Sequence, residues 1–220
     1  MTTGFDLDII WVMSIIQSNS TSNPLDNRVL ADAIDLILKA ESMGILTAPV
    51  DTLTLDLEAL IKAIKDITAL GIGVKVVVNA DRWRDYSAED LCAKLRALSR
   101  ILEESPQPNS EWKKLRESFP DDMLSKILAI SEQSVRRYAT QERATPDEVA
   151  SRLHWLALVV GDLHGAYNSD GVRKWFIRPR KSFGNSTPLS MLAGTIWTPT
   201  DKDPVKIRSF AHFLIESMST

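Results

Sequence analysis

Along most of the chain the apolar residues recur at three- and four-residue spacing, which predicts a mainly α fold. Between Asp26 and Met43, Val29, Ala33, Leu36, Ile37 and Ala40 share one helical face, and Gly44 marks its end. Thr54 to Leu70 repeats the pattern through Leu57, Leu60, Ile61, Ile64 and Ile67, with Gly71 and Gly73 as stops. Ser87 followed by Asp90 resembles a capping box, and Leu91, Leu95, Leu98 and Leu102 continue from it as an apolar stripe. Three stretches depart from this period. Phe5 to Ile16 fits a buried helix or a buried strand, Ile45 to Thr52 is irregular or a short edge strand, and the valine-rich run Val74 to Asn79 reads as a strand. Residues 1–105 are therefore read as a mostly helical domain with an α/β alternative open.

The polar, proline-bearing stretch Ser105-Pro106-Gln107-Pro108-Asn109-Ser110 is the expected domain boundary. Beyond it the period shortens. Short helices are expected over Trp112–Ser118, Asp122–Ile130 and Ser131–Thr140, followed by a long one from Pro146 to His164. Thr145 is its expected N-cap, Pro146 its first residue, and Asp147 and Glu148 lie where the helix dipole favours acids. Residues 112–165 form one expected unit and 166–220 another. The latter begins with a short helix carrying Trp175 and Phe176, turns at Pro179 and restarts at Thr187-Pro188. A terminal helix over Asp201–Met218 should face inward through Val205, Ile207, Phe210, Phe213 and Leu214.

The stretch Asp122–Arg143, DMLSKILAISEQSVRRYATQER, has the punctuation of a helix-turn-helix. Leu124, Ile127 and Leu128 give one apolar face, Ala129 is small where the chain must reverse, and Ile130 is an apolar plug for the corner. Ser131 is a good N-cap, worth about 1 kcal/mol over alanine. Val135 and Tyr138 are the inward members of the second helix. Its outward residues Gln133, Ser134, Arg136, Arg137 and Gln141, with Arg143 just beyond, are types that hydrogen-bond base edges or phosphates in a major groove. Ser131 and Tyr138 join this candidate set, the tyrosine through a hydroxyl that can reach a phosphate. A solvated surface face is the plain alternative.

Charge changes the picture by its distribution. The net charge of −3 argues against indiscriminate nucleic-acid binding. Residues 1–60 carry nine Asp/Glu and two basic residues, whereas residues 112–181 carry thirteen Lys/Arg and nine Asp/Glu, so the basic surplus lies with the candidate reader. Apolar and charged contents of 44% and 25% are those of a folded soluble chain, and no run is long enough to span a bilayer, so no membrane partner is expected. Asp6 and Asp8 precede the apolar start where a signal peptide would be basic. The one cysteine, Cys92, forms no internal disulfide and fits a reducing cytoplasm.

Two stretches together resemble the Xre/MbcA/ParS-type antitoxin family of prokaryotes, over about residues 112–216. One is LAISEQSVRRYATQERATPDEVASRL, and the other, more specific, is GVRKWFIRPRKSFGNSTPLSMLAG from Gly171 to Gly194. Trp175, Pro179, Gly184 and Thr187-Pro188-Leu189 match the family's pattern of a tryptophan on a short helix, a proline, a glycine turn and a Thr-Pro-Leu helix start. The resemblance implies a helical, usually dimeric binder of double-stranded DNA, often an autorepressor that neutralises a toxin through its C-terminal part. This chain differs in lacking a glycine in the TQER turn, in its Thr195–Pro204 link and in the roughly 110 residues that precede the reader.

Arg173, Lys174, Arg178, Arg180 and Lys181 form a basic cluster with no acid among them. It fits a phosphate-tracking surface, a partner-docking surface or a solvated loop. Trp197, between Thr195 and Pro199, is an exposed partner anchor or a residue folded back on the terminal helix. Enzyme chemistry is not expected. His154, His164 and His212 are too widely spaced for a local metal motif, Cys92 has no nearby histidine, and Gly71-Ile72-Gly73 lacks the rest of a phosphate loop. No cofactor, no metal and no catalytic residue are predicted. The leading expectation is a sequence-specific, homodimeric DNA-binding regulator, and the alternative is an antitoxin that acts by binding a toxin.

Overall fold

The computed structural model describes residues 25–216, so the Phe5–Ile16 expectation lies outside the described residues. The fold is mainly α, with ten α-helices and three 3-10 turns among the described residues. Helix α1 spans Asn27–Ser42, α2 Leu57–Ala69, α3 Ala88–Glu103, α4 Pro108–Ser118 and α5 Asp121–Leu128. Then come α6 over Glu132–Ala139, α7 over Asp147–His164, α8 over Ser169–Ile177, α9 over Pro188–Leu192 and α10 over Lys202–Glu216.

The apolar stripes read from the sequence are the buried ones. Val29, Ala33, Leu36, Ile37 and Ala40 on α1 and Leu91, Leu95, Leu98 and Leu102 on α3 are all buried, each large aliphatic side chain contributing roughly 1.5–3 kcal/mol. Helix starts follow capping chemistry. Asp26, Asp56 and Ser87 each accept a backbone N–H of the first turn of α1, α2 and α3.

Helix α7 is buried on nearly every face and is the strut on which the others pack. It lies against α1, α4 and α10. Gly161 permits the close approach to α1, because a Cβ there would lie 2.9 Å from Ser42 Oγ and 3.1 Å from Lys39 Cα. Polar ties reinforce the packing. Lys39 Nζ donates to Asp35, Ser99 and Glu103 at 2.9, 3.1 and 2.6 Å, and Glu103 also pairs with Arg208 at 2.8 Å. Burial alone would depress the Lys39 ammonium, but Asp35 and Glu103 outweigh it and hold it above the ordinary lysine value. On α7, His154 Nδ1 lies 2.7 Å from the buried Glu111 Oε1 of α4, and its Nε2 lies 2.8 Å from the Glu103 carbonyl. Contacts therefore cross the Ser105–Ser110 stretch, within which α4 already begins.

Val74–Asn79 is not a strand. Residues 71–76 are turns, with Val76 and Val77 N–H both donating to the Gly73 carbonyl at 2.9 Å, and Gly73 holds a left-handed φ of +69°. The described residues hold no neighbouring strand for a valine run to pair with, their one isolated bridge being Arg180 with Ser186. Val77 alone of the run is buried, and Val78 is 90% exposed. Two smaller expectations are also corrected. Pro146, rather than Thr145, occupies the N-cap position of α7 and makes no side-chain cap there, while the Thr145 hydroxyl accepts from Trp112 Nε1 at 2.9 Å. Val205 and Phe213 of α10 face outward, while Ile207 is buried and Phe210 half-buried.

Candidate nucleic-acid interface

Helices α5 and α6 meet at a three-residue corner built largely as their residue types dictate. Met123, Leu124, Ile127 and Leu128 bury the inner face of α5, and Val135 and Tyr138 that of α6. Ala129 reverses the chain at φ 53°, ψ 47°, a left-handed conformation that costs a non-glycine residue roughly 1–2 kcal/mol. Ile130 is half-buried behind it. Ser131 caps α6 by accepting the Ser134 N–H at 3.1 Å, and the two hydroxyls lie 2.9 Å apart, so both serines are engaged in the cap. After α6, Gln141 takes φ 59° where a glycine would be unstrained. Tyr138 packs its ring 6.2 Å from that of Trp112 on α4, and Arg143 lies over the outer side of the tyrosine at 5.9 Å.

The outward face carries Glu132, Gln133, Arg136 and Arg137, with Gln141 and Arg143 exposed beyond the helix end. Its arginines are not bare. Arg136 pairs with Glu132 at 3.3 Å and Arg137 with Glu142 at 3.5 Å, while Lys126 on α5 pairs with Asp122 at 3.4 Å. These pairs are solvent-exposed and each is worth about 0.2–1 kcal/mol at most. They are weak enough to exchange for a phosphate or a base edge, yet they offset the local charge. The four basic residues Lys126, Arg136, Arg137 and Arg143 stand with the acids Asp121, Asp122, Glu132 and Glu142 between residues 121 and 143.

The corner is fixed from behind by residues that local sequence patterns do not single out. Arg152 of α7, buried among apolar neighbours, donates from Nε to the Leu128 carbonyl at 2.9 Å and from a terminal nitrogen to the Trp197 carbonyl at 3.3 Å. Burial holds its guanidinium below arginine's ordinary value, with Glu148 opposing. Trp197 is not exposed. Only 4% exposed, it donates from Nε1 to the Ile127 carbonyl at 2.8 Å and meets the Trp155 ring edge-on at 4.8 Å. Its role as an exposed anchor is thereby corrected: the indole closes the end of α5, where carbonyls lack helical partners. A groove of about 440 Å³ remains between Ala129–Ser131 and Gly194–Ile196.

The other basic residues divide into two kinds. Arg173 and Lys174 both face Asp170, at 3.2 and 2.7 Å, and Arg178 and Lys181 are exposed. Arg180 is half-buried on the rings of Trp175 and Phe210. Trp175 and Phe176 are core residues, Phe176 meeting Phe119 edge-on at 5.4 Å. Among the described residues no three His, Cys, Asp or Glu side chains gather as a metal site, and no helix is long and apolar enough to cross a membrane. Compared with protein-family models, curated proteins and solved structures, the chain shows no match.

Proposed function

We propose that the chain is a sequence-specific DNA-binding transcriptional regulator of the Xre/antitoxin-like class, an autorepressing cytoplasmic homodimer in which α5 and α6 act as a helix-turn-helix. The observation that carries this reading is the α5–Ala129–α6 corner. Its two helices are short, its turn is tight, its cap is satisfied, and one face of α6 is apolar while the other presents Gln133, Arg136 and Arg137. A helix held this way has the shape and donors to enter a major groove, and a dimer presents two such helices to paired half-sites. Residues 1–105 then serve dimerisation, sensing or partner contact.

The test is duplex binding with a site selected from random DNA. The reading expects a specific complex that weakens with salt and is lost in Arg136→Ala plus Arg137→Ala, and the absence of any specific complex overturns it. A second reading has its own support. The α6 arginines already have acidic neighbours, whereas Arg180 in the Gly171–Gly194 segment has none paired with it among the described residues. That favours an antitoxin whose C-terminal segment binds a toxin directly. Co-purification with a neighbouring toxin that depends on residues 171–220 distinguishes it from the regulator.

A further inference from the structure

Arg180 differs from the other arginines of the two basic surfaces in its setting. Its guanidinium carbon lies 4.8 Å from the Trp175 ring centroid and 5.7 Å from that of Phe210, and these two rings stack on each other at 6.5 Å. Phe183 completes the cluster, 5.2 Å from Phe210 and 6.3 Å from Trp175, and carries Lys206 Nζ at 5.5 Å from its own ring. The backbone is held as well. Arg180 N–H donates to Ser186 at 3.1 Å, and its carbonyl accepts from Phe183 and Asn185 at 3.0 and 2.9 Å. An arginine seated on two rings from a fixed backbone keeps its guanidinium plane in one orientation.

What this cation lacks is an acid. Among the described residues its side chain has no carboxylate partner, and its Nε is buried without a hydrogen bond. Burial holds the guanidinium below arginine's ordinary value, Tyr167 opposes this and Arg178 adds to it. Half-burying a charge without a counter-charge is unfavourable, and ring contacts offset it only in part. Lys181, next in sequence, is exposed, and Lys206 rests on the same ring cluster. The site thus joins an oriented fork of N–H donors to further positive charge and, among the described residues, has no acid paired with Arg180.

We propose that this Arg180 cluster is a phosphate-binding site, in which the open edge of the guanidinium takes two phosphate oxygens and Lys181 and Lys206 supply added attraction. A phosphate fits better than a lone carboxylate because its greater negative charge answers several cations at once while its oxygens match the fork. The phosphate comes from a small molecule or from the backbone of bound DNA. Only the second source rests on the reading of α6.

Two measurements separate the sources. Inorganic phosphate, titrated against chloride of equal ionic strength, raises the thermal unfolding midpoint of the wild-type chain. Arg180→Gln abolishes the rise, and Arg180→Lys, which keeps the charge but loses the fork, weakens binding about tenfold. With a selected duplex, Arg180→Gln lowers the slope of log affinity against log salt by about one and leaves sequence preference unchanged. A phosphate effect lost in the variant identifies a small-molecule source, and a slope change alone identifies the DNA backbone. Lys206→Gln serves as a second variant, expected to keep the midpoint in chloride and to weaken the same responses. Responses that are absent from the wild type, or equal in wild type and both variants, overturn the proposal. If the chain binds no duplex, the proposed function fails on that result while the phosphate titration still decides this site.

Discussion

Arg136 and Arg137 on α6 each lie against a glutamate of their own segment, whereas Arg180 lies on Trp175 and Phe210 and has no carboxylate partner among the described residues. The first arrangement is exposed, weak and local. The second is half-buried and held by rings drawn from α8 and α10. A charge neutralised by an exposed neighbour can change partners at little cost, as the proposed reading of DNA by α6 requires. A charge seated without a partner is set in advance for one kind of ligand. The same residue type thus has exchangeable partners in one region and a fixed seat in the other.

Four changes probe this contrast, beginning with the scaffold that both regions share. Trp197→Ala removes a buried indole, its hydrogen bond to Ile127 and its contact with Trp155, and should cost about 3–5 kcal/mol by denaturant unfolding. Because Trp197 lies in the link after α9 and braces α5, the two regions should weaken together. If only one is affected, they are less coupled than the packing indicates. Arg152→Met leaves the Leu128 and Trp197 carbonyls without their donor and should cost about 1–3 kcal/mol, read in the same unfolding curves.

Ala129→Gly acts on the reader alone. It relieves a left-handed φ of 53° and should stabilise the chain by about 0.5–1 kcal/mol after glycine's own entropy is counted, seen as a higher unfolding midpoint. A lower midpoint would mean that the corner carries no strain. The smallest effect belongs to Glu132→Gln with Glu142→Gln. Freeing Arg136 and Arg137 should tighten duplex binding by about 0.2–1 kcal/mol per pair and relax sequence preference, with stability nearly unchanged. Unaltered affinity in that variant would show that the acids do not restrain the reader.

Helix identity was largely legible because α1, α2 and α3 state their buried faces in period 3.6 and α3 its start in Ser87, whereas the expected start of α2 at Thr54 came before its cap, Asp56. The α5–α6 corner was legible for the same reason, since Ala129, Ile130 and Ser131 are adjacent in sequence. Val74–Asn79 misled because β-branched residues show local preference, while a strand exists only when another is there to pair with it. Trp197 could not be placed from its neighbours, as its hydrogen-bond partner Ile127 lies 70 residues earlier. The Glu111–His154 and Lys39–Glu103 ties are long-range in the same way. The offset of Arg136 by Glu132 did carry a local signal, an acid four residues before a base on one helix, and that spacing tempers the basic surplus read from composition.

Whether α6 reads DNA is tested most directly by equilibrium binding to a selected duplex across a range of salt concentrations, with wild-type chain beside Arg136→Ala plus Arg137→Ala. A helix in the major groove predicts a specific complex whose affinity falls steeply with salt. In the double variant the loss should be about 1–3 kcal/mol for each base contact removed, with the unfolding midpoint held. No specific complex in the wild type, or the same affinity and salt slope in both proteins, would contradict it.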